Sequence, residues 1–193
     1  MSAIALEQRR ITTEEYHLMA EAGILGEDDR VELIDGKLIT MSPLGGPHIE
    51  CVNRLNALLN RRLIQAEVVD VVVSIQNSVR LGTYNEPEPD VALLRTPEQR
   101  GRVPSASDVL LIIEVSDTTL RKDRSVKVPL YAAAGIPEVW IVALEEERVE
   151  VYRAPEDGHY AERHVLERGE TFEAAVLPVL GPIAVDEVLG PPY

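Results

Sequence analysis

The chain has 193 residues, 45% of them hydrophobic but only 4% aromatic, so it suits a compact α/β domain whose core is mostly Val, Leu, Ile and Ala. A formal net charge of −14 argues against tight non-specific binding of nucleic acid, because phosphate contacts need Lys and Arg. No run of about 18 apolar residues suggests a membrane span, MSAIALEQRR lacks the basic and apolar parts of a signal peptide, and the single cysteine, Cys51, rules out an internal disulfide, so the expected setting is cytoplasmic.

Thr12 and Glu15 make a capping-box pair that opens a short helix over residues 12–23, ended by Gly23. VELIDGKLITM then reads as a β-hairpin, with Asp35 and Gly36 as a two-residue type I′ turn. SPLGGP is a loop, and Pro47 starts a helix on which Ile49, Val52, Leu55, Leu59 and Leu63 form a buried stripe. Cys51 lies among these apolar positions and reads as a core residue, while Arg54, Arg61 and Arg62 fall on other faces.

Residues 68–81 are β-branched and predict a strand with an exposed second half. Residues 90–94 (DVALL) predict a short buried strand, followed by a loop with Pro97, Gly101 and Pro104. Residues 108–115 (DVLLIIEV) predict a second buried strand. A helix over 123–134 follows, with Asp123 as N-cap and Gly135 closing it. Pro129 is out of place there, because it removes a hydrogen bond and kinks the chain just past Lys127. Strands are expected over 138–144, 148–153 and 160–167, and from Thr171 on the four prolines suggest an irregular, surface-packed tail. This order predicts a mixed β-sheet flanked by helices, in a single domain spanning residues 1–193.

Most of the negative charge sits late in the chain. Residues 138–193 carry four Arg or Lys against thirteen Asp or Glu, whereas from Arg95 to Lys127 seven bases, Arg100 among them, face five acids.

Two acids stand out by position. Asp90 follows Pro89 and opens a buried strand, and Glu114 ends one that is otherwise apolar. A buried carboxylate needs a partner, a metal or an exposed sheet end. With the two strands side by side, both carboxylates converge on one point and offer the hard oxygen ligands that suit Mg²⁺. A metal so held activates water and steadies charge on a phosphodiester. The plainer alternative for each acid is a solvent-facing or helix-capping residue.

These features resemble the PD-(D/E)xK nuclease superfamily and, more closely, the Uma family of putative restriction endonucleases. The similar stretches are VELIDGKLITMSP (31–43), His48 at the following helix start, PEPDVALL (87–94), DVLLIIEVSDTTLRKDRSVK (108–127), YAAAGIPEVWIV (131–142) and RVEVYR. The resemblance implies a restriction-endonuclease-like α/β fold with a core over about residues 12–155, extra C-terminal strands, and an acidic extension over about 156–193. It implies a Mg²⁺-dependent phosphodiesterase site, Mn²⁺ being able to substitute, with Asp90 and Glu114 as metal ligands and Glu32 completing the acidic cluster as a metal or water ligand. The superfamily lysine two residues after the glutamate is missing, since Ser116 stands there. The resemblance transfers its role to Lys127 in the next helix, with Lys122 as a second option. His48 is a candidate for phosphate contact or proton transfer, and Asp117 and Thr118 shape the turn after the strand.

No phosphate-binding loop, clustered Cys and His, or Gly-x-Ser-x-Gly elbow occurs, which argues against an NTPase, a zinc site and a serine hydrolase. The expected activity is a Mg²⁺-dependent DNA endonuclease, as a homodimer if both strands are cut. The alternative is a degenerate nuclease-fold protein that binds protein or nucleic acid, favoured by Ser116 and by the net charge of −14.

Overall fold

A computed structural model describes residues 8–26, 28–96 and 101–192. The leader reading at residues 1–7, together with Pro97 and Arg100, lies outside the described residues. The backbone is a six-stranded mixed sheet in the order β3-β4-β5-β6-β7-β8. These strands are Val71–Ile75, Val91–Arg95, Val109–Ser116, Glu138–Ala143, Arg148–Glu156 and His159–Glu167. Only β5 and β6 run parallel; the other neighbours are antiparallel. A parallel pair needs a crossover, and here it is helical: α3 (Leu120–Lys122), a π-turn over Asp123–Lys127, and α4 (Val128–Ala133). The crossover therefore starts at the strand end that carries Glu114.

Alternation along β5 and β6 gives the sheet two apolar faces. One face, with Leu111, Ile113, Val115, Trp140 and Val142, packs against the long helix α2 (Gly46–Gln65). The other, with Ile112, Val139 and Ile141, packs against Val128 and Tyr131 of the crossover. The stripe on α2 starts at His48 rather than Ile49: His48 is buried one turn before Val52, and Ile49 is exposed. Cys51 is buried, as expected; its Sγ lies 3.6 Å from the Val188 carbonyl, and burial pushes its thiol up to about 12.

α1 (Thr13–Glu21) has the expected capping box, with Thr12 Oγ1 accepting from the Glu15 N–H. The hairpin β1 (Val31–Ile34) and β2 (Lys37–Thr40) turns through Asp35 and Gly36, both at positive φ, as a type I′ turn requires. The hairpin is a separate two-stranded sheet, tied down where Leu33 and Glu86 exchange backbone bonds of 3.3 and 2.8 Å. That pin fixes its neighbour Glu32.

Three further expectations need correction. The strand over 68–81 is only β3, because Gln76 takes φ 49 and turns the chain out of the sheet. The crossover helix begins at Leu120, so Asp123 is not a cap but a buried residue within it. The C-terminal stretch is not a surface tail. It forms β9 (Thr171–Phe172), β10 (Ile183–Ala184) and α5 (Val185–Leu189), and Phe172, Ala174, Leu180, Ile183, Val185, Val188 and Leu189 are all buried in the α2-side core. Arg54 and Arg62 of α2 hold it, Arg54 by a 2.7 Å bond to the Leu189 carbonyl and Arg62 by a 3.0 Å ion pair with Glu187.

Phe172 packs edge-on against buried Trp140, with ring centroids 4.8 Å apart. Phe172→Ala is expected to lower stability by about 3–4 kcal/mol, read as a shift in the urea midpoint. A loss below about 1 kcal/mol would mean that the C-terminal stretch only lies on the surface.

Candidate active site

The antiparallel register pairs Val91 with Ile113, so Asp90 and Glu114 sit one step further along, at the same sheet end. Both line a cavity of about 500 Å³, together with Glu32, His48, Lys122, Asp123 and Lys127. The hairpin, the N-terminal end of α2, two sheet strands and the crossover all contribute to its walls.

Asp90 is held on both oxygens. Oδ2 accepts the Val115 N–H at 2.8 Å, while Oδ1 lies 3.0 Å from His48 Nε2 and 3.4 Å from Gln76 Nε2. The N–H and C=O of one residue in an extended strand face the same edge, so the Val115 carbonyl also points toward this strand end.

Glu114 is almost fully buried. Lys127 Nζ lies 3.1 and 3.2 Å from its two oxygens, and the Tyr131 hydroxyl donates to Oε1. Burial pushes the Glu114 carboxyl up to about 8, opposed by Lys127 and reinforced by Asp90 and Asp123. Burial alone would lower Lys127, but Glu114, Glu32, Asp123 and Asp90 outweigh it, so its ammonium is held well above the usual lysine range. Lys127 stays protonated.

Glu32 is buried and faces two lysines. Lys122 donates to Oε1 at 2.9 Å, and Lys127 lies 3.4 Å from Oε2, an oxygen without a hydrogen bond. In a regular α-helix two residues five apart lie about 140° from each other, so Lys122 and Lys127 could not both reach one carboxylate. The π-turn between them supplies the difference: the Val128 N–H bonds back to the Asp123 carbonyl, which adds a residue to the turn and brings both lysines onto one face. Pro129 follows directly. Its ring would strike the carbonyl four residues back in an α-helix, and the wider turn relieves that contact.

Ser116, where the superfamily pattern has lysine, donates from Oγ to Asp123 Oδ2 at 2.7 Å, and Thr119 Oγ1 donates to the same oxygen at 2.7 Å. Asp123 thus anchors the start of the π-turn to the strand end. The next residue, Arg124, anchors its far side: its guanidinium pairs with buried Glu150 of β7, which stands in the row Glu114–Ile141–Glu150 across the sheet. Sequence reasoning gave Asp123 only a capping role, and missed Tyr131, Glu150 and Glu88. Glu88 also lines the cavity, its carboxyl raised by burial and by Glu32. An acid at the centre of an alternating strand was the available signal for Glu150.

A family model described as Uma2, "Putative restriction endonuclease", matches residues 13–186. No curated protein matches the chain. Among solved structures, a putative nuclease belonging to DUF820 from Anabaena variabilis aligns with TM-score 0.69 at 16% identity, over 93% of this chain and 97% of that one. The expected mixed sheet flanked by helices is therefore shared with that structure. No helix among the described residues is long and apolar enough to cross a membrane.

Glu150 gives a pH test of the anchor. Burial would raise its carboxyl, but hydrogen bonds from Arg124, Tyr152 and Arg163 outweigh this and lower it to about 2. A lowered carboxyl stabilises the fold above its unfolded value of about 4.5 and loses that contribution as pH falls towards 2. Glu150→Gln is therefore expected to cost about 3 kcal/mol at pH 7, and its deficit against wild type should shrink between pH 4.5 and 2. A deficit independent of pH in urea titrations would rule out the charged anchor.

Proposed function

Because the chain belongs to the Uma2 family, described as putative restriction endonucleases, we propose that it is a divalent-metal-dependent endonuclease acting on DNA through this cavity. The observation that carries the reading is buried Glu114 beside Asp90 at one sheet end, with the protonated Lys127 ammonium between Glu114 and Glu32.

No three His, Cys, Asp or Glu among the described residues form a ready-made metal cage. Mg²⁺ does not require one, since it is commonly held by one or two carboxylates and completed by waters and substrate phosphate. Asp90 and Glu114, with the Val115 carbonyl at the same strand end, fit that pattern, and Mn²⁺ can substitute. Such an ion supplies an activated water and charge neutralisation at the phosphodiester.

The chain's own groups do the rest. The Val115 N–H and His48 orient Asp90, and the Tyr131 hydroxyl orients Glu114. Lys127 brings a fixed positive charge to the place where negative charge builds on the phosphoryl oxygens. Glu32, between two lysines, serves as their holder and not as a ligand. One such site cuts one strand, so a double-strand break calls for a homodimer. The degenerate binding-module reading keeps one observation in its favour, Ser116 bonded to Asp123 in place of a strand lysine.

Calorimetry is expected to show Mn²⁺ uptake by wild type and none by Asp90→Ala; equal uptake would remove the metal site. With plasmid DNA and Mg²⁺, Lys127→Gln should keep Mn²⁺ uptake and lose roughly 100-fold or more in kcat. Metal and DNA binding without cleavage by wild type would instead establish the binding module.

A further inference from the structure

We infer that Arg30 and Lys122 form an anion subsite at the mouth of the cavity, which takes the nucleic-acid backbone phosphate next to the one cut. The inference rests on the nuclease reading above and deepens it.

The charges lining the cavity make the need clear: six acidic residues against three cations. An anionic strand enters such a place only where positive charge is left for it. Lys127 is committed to the phosphate that is cut and is buried between Glu114 and Glu32, so it does not serve a neighbouring one. Lys122 is different. Its side chain is 37% exposed, and its one ion pair, to Glu32 at 2.9 Å, leaves the outer side of the ammonium open. The π-turn thus sorts two lysines on one face into an inner and an outer one.

Arg30 completes the pair from the hairpin side. Its carbonyl accepts the Met41 N–H at 2.9 Å, which continues the β1–β2 ladder backwards. Residues two apart on a strand point the same way, so Arg30 follows Glu32 toward the cavity, which it lines. It is exposed and makes no ion pair among the described residues. The guanidinium acts electrostatically on Glu88, lowering its carboxyl against the pull of burial. A cation left in this state beside an acidic cavity suits a phosphate, which guanidinium binds through paired N–H donors.

Two phosphates, the one cut and its neighbour in the subsite, make a small electrostatic footprint. For a single strand each phosphate contributes a slope of about −0.7 to log K against log salt, so the wild type should show a slope near −1.4. The probe is a fluorescein-labelled 20-nucleotide single-stranded DNA, with Ca²⁺ replacing Mg²⁺ for anisotropy titrations and Mg²⁺ restored for cleavage. Arg30→Ala is expected to flatten the slope by about 0.7 and to raise KM roughly five- to tenfold with kcat within about twofold, the pattern for lost uniform binding. Arg30→Lys should restore the slope, and the urea midpoint of Arg30→Ala should match wild type. An active wild type with an unchanged slope and KM in Arg30→Ala overturns the subsite alone. So does a wild-type slope steeper than about −4, which would mean that binding spreads over many phosphates. A wild type that neither binds nor cuts the oligonucleotide overturns the nuclease reading and the subsite together.

Discussion

A carboxylate at the end of an apolar strand is a constraint that the surrounding structure has to meet. Glu114 lies on β5, between two apolar faces, and is buried. An ionised carboxyl there is costly unless cations and donors compensate it. Lys127 and Tyr131 do so in part, both from the crossover that begins at the same strand end. The crossover exists because β5 and β6 are parallel. Sheet topology thus brings the lysine to the carboxylate, and the π-turn, Pro129 and the Asp123 and Arg124 anchors follow as parts of delivering it.

The two anchors meet the same demand with different partners. Asp123 is satisfied by neutral hydroxyls from Ser116 and Thr119. Glu150 is surrounded by the arginines Arg124, Arg148 and Arg163. The first arrangement leaves a negative charge near Lys127 and helps to keep it protonated. The second neutralises a buried acid away from the cavity. The −14 net charge says little about the site itself, because many of the acids are spent in local pairs of this kind.

Hydrophobic periodicity made most of the architecture legible. The hairpin turn, the long helix, the buried strands β4, β5 and β6, and Asp90 and Glu114 at neighbouring strand ends could all be read from the order of residues. What could not be read was anything that depends on rotation about a helix. Ile49 and His48 are adjacent, and a difference of about 100° decides which is buried. Asp123 scans as an N-cap because the residues before it, TTLRK, do not look helical, yet its carboxylate is claimed by Ser116 from another element. The C-terminal stretch misleads in a similar way. Prolines and acids gave it the look of a surface tail, while its apolar residues fill the face of the sheet that α2 leaves open.

Ser116 and Lys127 are structurally linked. Residues 114 and 116 share a face of β5, so a lysine at 116 would point into the same space as Glu114. It would then lie where the Ser116 hydroxyl meets Asp123. That hydrogen bond to a charged acceptor contributes about 1.5–3 kcal/mol and fixes the start of the π-turn. Without it the turn loses its hold on the strand end, and Lys127 loses its register against Glu114 and Glu32. Position 116 therefore helps to hold in place the segment that brings Lys127 to Glu114 and Glu32.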